Sequence, residues 1–220
     1  MDEALRQDAV AARSQVRSGG LRGTELLRRL RAVPLLERDA WTDVLLGLEE
    51  EAPDTLDLPP ESIPYLPCGV DEILRMVEEA PLGADDVFVD LGSGAGRVVM
   101  LAHLLTGARA VGVEIQGLLV THATASSAAL GLSGVSFVHA NAADTELEGS
   151  VFFLYAPFNG ETLKRVLRRL EEVARKRPIR ICALGLELAS EGWLRRRETS
   201  SPWLSLYDSV PVDDAPNAPR

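Results

Sequence analysis

Residues 87–97 read VFVDLGSGAGR, and this stretch decides the fold. The β-rich run Val87-Phe88-Val89 leads into Asp90. Gly92, Gly94 and Gly96 then stand at every second position before an apolar helical run begins. Glycine lacks a Cβ, so this spacing permits a tight turn and lets a ligand lie against the backbone. The helix that follows offers free N–H groups and the positive end of its dipole to a carboxylate or phosphate. Strand, glycine turn and helix in that order predict the opening of a nucleoside-binding α/β unit.

Outward from this loop the same alternation continues. Residues 97–105 form a nearly all-apolar helical run ended by Gly107, followed by a strand from Ala110 to Val113, a helix from about Gln116 to Leu130 and a strand from Val135 to Val138. Val151 to Tyr155 reads as a strand, 161–176 as a helix buried through Leu163, Val166, Leu167, Leu170 and Val173, and Ile179 to Leu184 as a strand. Upstream, Val70, Ile73, Leu74 and Val77 share one helical face, stopped by Pro81 and Gly83. Strands apolar on both faces imply a parallel sheet covered by helices. Leu194 to Glu198 and Leu204 to Ser209, separated by Thr-Ser-Ser-Pro, predict an antiparallel hairpin at its edge. The sum is a mostly parallel, seven-stranded, Rossmann-like sheet with helices on both faces.

The first 48 residues read as helices, through Leu26, Leu27, Leu30 and Val33 and then Trp41, Val44, Leu45 and Leu48. The proline- and acid-rich stretch EEEAPDTLDLPPESIP, 49–64, carries no regular element. It divides an N-terminal helical segment and linker, 1–60, from the main domain, 61–220. The amphipathic N-terminal helices fit a lid, a dimer contact or a partner site equally well.

A net charge of −10 argues against nucleic acid as a partner, because grip on phosphate backbones comes from many Lys and Arg contacts. The runs Lys164, Arg165, Arg168, Arg169 and Arg195 to Arg197 read as solvated faces. No apolar run is long enough to span a bilayer, and MDEALRQDAV lacks a signal-peptide pattern, so a cytoplasmic protein with no membrane partner is expected. Cys68 and Cys182 stand far apart without a Cys/His cluster, and no metal site is expected.

Spacing narrows the ligand. The dinucleotide fingerprint GxGxxG would need glycine where Arg97 stands. Asp90, two residues before the first glycine, would repel a pyrophosphate, yet it suits the cationic amino-acid part of S-adenosylmethionine. Glu114, which ends the run VGVE, can accept both hydroxyls of a ribose. The expected cofactor is therefore S-adenosylmethionine, held by Asp90, by the loop residues Gly92, Ser93, Gly94, Gly96 and Arg97, and by Glu114.

From roughly Ile63 to Val210 the sequence resembles the class I S-adenosylmethionine-dependent methyltransferases, with VDLGSGAGRVV similar to their first motif and AVGVEIQ to their second. DLGSGAGR with VGVE and the preceding IPYLPCGVDEILRMV are similar more narrowly to Dot1-like and related protein-lysine methyltransferases and their bacterial relatives. The resemblance implies that Asn141 and Ala142, after the strand at 135–138, meet the adenine, with Asp144 as a substitute for Asn141. Where amine-methylating enzymes often show Asp or Asn with Pro-Pro and an aromatic, this chain has Tyr155-Ala156-Pro157-Phe158. Asn159 is the loop amide that would orient an acceptor, or else the residue that starts the next helix. Tyr155 and Tyr65, with His139 and His122 as further candidates, are the groups that would handle the acceptor's proton. The implied activity is methyl transfer to an unidentified acceptor, a protein lysine amine ranking ahead of a small-molecule amine or hydroxyl. A dinucleotide-dependent oxidoreductase and a non-catalytic nucleoside-binding scaffold are the readings from other classes.

Overall fold

Val87–Leu91 is β1, the centre of the sheet, in a computed structural model that describes residues 1–50, 58–188 and 192–210. Its neighbours are β2 (Arg109–Glu114) on one side and β4 (Val151–Tyr155) on the other, both parallel to it. β3 (Val135–His139) continues the parallel sheet beyond β2, and β5 (Arg180–Leu184) continues it beyond β4. The antiparallel pair β6 (Leu194–Arg197) and β7 (Leu204–Ser209) closes that side, giving the order β3-β2-β1-β4-β5-β7-β6. The strand order reverses between β1 and β4. In an open α/β sheet, that is where a crevice opens at the strands' carboxyl ends.

Alternation within each strand supplies two cores. Phe88, Phe153 and Cys182 point to one face, and Val89, Phe152 and Ile181 to the other. Over the first face lie α1 (Glu3–Arg17), α2 (Gly23–Ala32), α3 (Arg38–Leu46), α4 (Val70–Glu79) and α5 (Arg97–Thr106). α5 is buried almost all round because it lies between the sheet and α2, α3 and α4, which explains its lack of a polar face. α6 (Gly117–Ala129) packs on β2 and β3, and α7 (Gly160–Ala174) covers the second face through Val166, Leu167 and Leu170.

The N-terminal helices share one buried cluster with the sheet, and Trp41 is its largest fully buried side chain. Polar contacts fix their position. Asp39 accepts from the Val70 N–H at 2.8 Å, capping an α4 whose own N-cap, Gly69, has no side chain to do so. Arg38 pairs with Asp71, and Ser126 on α6 donates to the Gly47 carbonyl at 3.1 Å. Among the described residues, no helix is long and apolar enough to cross a membrane.

Candidate functional site

The crevice predicted by the strand order is present. A cleft open to solvent, spanning about 940 Å³ with the solvent at its mouth, lies over the carboxyl ends of β1, β2, β3 and β4, lined by Gly92, by Val113 to Gln116, by Ala140 to Ala142 and by Tyr155 to Phe158. Its roof is a strap, residues 58–66. The strap runs antiparallel to the loop after β4: Ile63 N–H donates to the Pro157 carbonyl at 3.0 Å, and Asn159 N–H donates to the Glu61 carbonyl at 3.0 Å. A smaller cavity adjoins it, lined by Cys68, Asp90, Ser93 and Arg97 among others. Tyr65, Leu66, Gly92 and Tyr155 line both.

The glycine loop is shaped by what leans on it. Gly92 has φ +89°, and a Cβ there would run into the Pro157 ring; Gly94 has φ +53°, and a Cβ there would strike the Tyr65 ring. Both positions therefore require glycine for conformation and for space. Glu114 secures the turn from below. It is buried, and its two carboxylate oxygens accept from Gly94 N–H at 2.8 Å and Gln116 N–H at 2.9 Å. A carboxylate has about four acceptor positions, so capacity for a ribose remains.

Comparison with known proteins places this architecture. The family described as "Histone methylation protein DOT1" matches residues 68–145. A protein-lysine N-methyltransferase of Saccharolobus islandicus (strain REY15A) is 32% identical over 111 residues, which are 49% of this chain and 69% of that protein. The chain belongs to the class I S-adenosylmethionine-dependent methyltransferases. A histone-lysine N-methyltransferase specific for H3 lysine-79, from Cryptococcus neoformans var. neoformans serotype D, is 49% identical over 41 residues, 19% of this chain; the match spans 6% of that fungal protein's length. The crystal structure of an RNA methyltransferase from Salinibacter ruber, in complex with S-adenosyl-L-homocysteine, shares the fold. Its TM-score is 0.55 at 24% identity, over 70% of this chain and 98% of that one.

The residues singled out from the sequence separate into two groups. Asp90, Gly92, Ser93, Glu114, Asn141, Ala142, Tyr65 and Tyr155 all line the two cavities. Asn159 does not. It is exposed at the N-cap position of α7, and its side chain makes no capping bond. Asn141 spends its amide locally, accepting from Ala143 N–H at 2.9 Å and donating to Asp144 at 2.9 Å, the habit of a turn asparagine. Arg97 reaches the smaller cavity, but its guanidinium is held by Asp43 and by the Cys68 carbonyl. Gly96 is the left-handed N-cap of α5, packed on Phe137 outside the cleft lining. His139 is exposed and bonds the Ile115 carbonyl, and His122 lines neither cavity.

Electrostatics single out Asp90. The residue is 2% exposed, and burial, with Glu114 nearby, pushes its pKa well above the ordinary carboxylate range. Among the described residues it has no cationic partner. Ser93 Oγ, in the same cavity, is buried without a hydrogen-bond partner among the described residues. A ligand with a cationic amino group and a carboxylate meets both needs, and S-adenosylmethionine carries both. Burial also raises the phenols of Tyr65 and Tyr155, so neither is a phenolate at neutral pH.

The strap's latch has no signal in the sequence. Glu61, at φ +70°, accepts from Glu161 N–H, Thr162 N–H and Thr162 Oγ1 at 3.1, 2.8 and 2.9 Å, capping α7 in place of Asn159. These bonds depress its pKa. A depressed carboxyl contributes stability above its unfolded pKa, and that contribution is lost as pH falls through the folded value. Glu61→Ala is accordingly expected to lower the hydrogen-exchange protection of the Thr162 amide at neutral pH. Acidification below the usual glutamate range should do the same to wild type and leave the variant unchanged.

Proposed function

We propose that this chain transfers a methyl group from S-adenosylmethionine to a protein lysine amine. The observation that carries the reading is that the two cavities share Tyr65, Leu66, Gly92 and Tyr155 in their linings, which we read as a largely apolar, aromatic passage from one to the other. Such a passage suits an alkyl stem that ends in an amine. Among the described residues no Lys, Arg or His lines the larger cleft, so a polyanionic acceptor finds no counter-charge there.

Asp90 would receive the cofactor's amino group, Ser93 and the N–H groups at the start of α5 its carboxylate, Glu114 the ribose hydroxyls, and Ala142 with Ile115 the adenine faces. When bound, S-adenosylmethionine supplies a methyl group already activated on sulfonium. The chain's own work is placement and exclusion of water. An amine entering between Tyr65 and Tyr155 is desolvated, which favours its neutral form and releases its proton to solvent before it arrives. Tyr155 Oη then accepts a hydrogen bond from the neutral amine and orients it. Tyr155→Phe should lower kcat about tenfold, the worth of one hydrogen bond near 1.4 kcal/mol, with S-adenosylhomocysteine affinity within about twofold of wild type. Equal loss in both quantities would remove Tyr155 from the acceptor side.

Methyl-labelled cofactor offered together with a mixed protein fraction, total RNA and small amines tests the acceptor class. The expected result is label in protein, with mass spectrometry placing it on lysine side chains. Label confined to RNA or to small molecules would overturn the lysine assignment.

A further inference from the structure

Arg97 is the first residue of α5, directly after the last loop glycine, and its side chain is 7% exposed. Its Nη2 donates to both carboxylate oxygens of Asp43 at 2.7 Å, its Nε donates to Asp43 Oδ1 at 3.1 Å, and its Nη1 donates to the Cys68 carbonyl at 2.8 Å. Three parts of the molecule meet in this fork. Asp43 belongs to α3, Arg97 to the glycine loop and α5, and Cys68 lies three residues beyond Tyr65, whose ring covers Gly94. α3 is itself fixed against α4 through Asp39 and Val70.

We propose that Asp43 is a positioning residue for the cofactor site, acting through Arg97 to hold the strap's end against the glycine loop and to keep the guanidinium off Asp90. The second half follows from proximity. Arg97 and Asp90 line the same small cavity, in which Asp90 is the one carboxylate among the described residues. Asp39 Oδ2 also stands 4.0 Å from Arg97 Nη1, but Asp39 is more than half exposed and its Oδ1 is committed to the Val70 N–H, so a guanidinium deprived of Asp43 has Asp90 as the buried carboxylate of its own cavity to turn to. That carboxylate is the one the cofactor's amino group needs. The N-terminal helices, which the matched family does not reach at residues 68–145, thereby become part of the site. Lysine could not replace Arg97, because a single ammonium cannot face Asp43 and the Cys68 carbonyl in the fixed geometry of a guanidinium.

This inference rests on the cleft being the cofactor site, so binding of S-adenosylhomocysteine is the readout. Calorimetry would compare the full chain with Asp43→Asn, Arg97→Lys and the double variant, at a temperature where near-UV circular dichroism shows each one folded. Each single variant is expected to bind about tenfold more weakly, and the double variant no more weakly than the worse single, because both changes break one unit. Asp43→Asn should also move the acid limb of binding to lower pH, since an Arg97 turned toward Asp90 favours its carboxylate; Glu114, Cys68, Tyr65 and Tyr155 are the other titratable groups around Asp90, with Asp39 beside Arg97 and Glu72 beyond Cys68. A brace that only supports the fold would leave that limb in place. Lower melting temperatures with wild-type affinity and an unmoved acid limb would overturn the proposal while leaving the cofactor reading intact. Failure of the wild-type chain to bind would take down both. Should Asp43→Asn not fold, Asp43→Glu is read instead: it keeps the charge, displaces it by one methylene, and should lose about threefold in affinity. Undiminished affinity in that variant would count against the proposal.

Discussion

Asp90→Asn is expected to weaken S-adenosylhomocysteine binding by about 100-fold, close to 2.7 kcal/mol, while leaving the ligand-free protein at least as stable as wild type. The first effect follows from losing a charge-assisted bond in a site sealed from water, where such bonds are strongest. The second follows from the same burial. A carboxylate on a residue 2% exposed, beside Glu114 and without a cationic partner among the described residues, costs the fold free energy that an amide of the same shape does not. A gain of about 1 kcal/mol in the variant is the usual size when a strained functional group is neutralised. The pH dependence has a definite sign. Because the folded-state pKa is raised, the acid's favourable contribution is full below the ordinary carboxylate value and fades as pH rises through the folded value. A cationic amino group prefers the ionised form, so cofactor affinity should rise with pH through that folded value, above the ordinary carboxylate range. Calorimetry across pH should show this limb in wild type and a flat profile in Asp90→Asn.

Glu114→Ala should damage both binding and stability. Its carboxylate is the acceptor for Gly94 N–H and Gln116 N–H, and alanine would orphan both in the buried turn. At about 1–3 kcal/mol for each unsatisfied buried group, a loss of roughly 3 kcal/mol is expected. In a domain of this size that corresponds to a drop of about 6–12 °C in melting temperature. Glu114→Gln keeps one acceptor oxygen and should fall between the two. Since the loop itself would loosen, cofactor affinity should drop about 100-fold in the alanine variant even at temperatures where it remains folded. Melting curves and binding isotherms on the same samples separate the two losses.

The contrast between these two acids shows what can be read from the sequence. Asp90 and Glu114 end adjacent parallel strands, so a local pattern of apolar run, acid and glycines is enough to put both in one crevice. The strands and the central α5 are legible for the same reason, since period and punctuation are local, whereas the order of the strands in the sheet is not. Tyr65 and Tyr155 also reach the cleft. Asn159 does not, because the cap of α7 is supplied by Glu61, about a hundred residues away in sequence. Arg97 follows the motif into the loop, but its partner, Asp43, lies 54 residues upstream in a helix whose pattern reads only as amphipathic. Asn141 has two local futures, ligand or turn, and its bond to Ala143 N–H shows the turn. What the sequence hides are charge and capping partners far apart along the chain, for which no spacing rule exists.

The cleft over β1 and β2, with the adjoining cavity that contains Asp90, is expected to hold S-adenosylmethionine through that carboxylate. Thermal denaturation of wild type and Asp90→Asn, each with S-adenosylmethionine, S-adenosylhomocysteine, NAD or buffer, tests it most directly. A ligand at about 100 times its dissociation constant adds roughly 2.7 kcal/mol, a rise of about 5–10 °C here. Both adenosyl amino acids should raise the wild-type midpoint by that much, NAD should leave it in place, and the variant, about 100-fold weaker, should move by only about 1 °C at the same concentrations. A shift with NAD alone, or equal shifts with S-adenosylhomocysteine in wild type and variant, would contradict the claim.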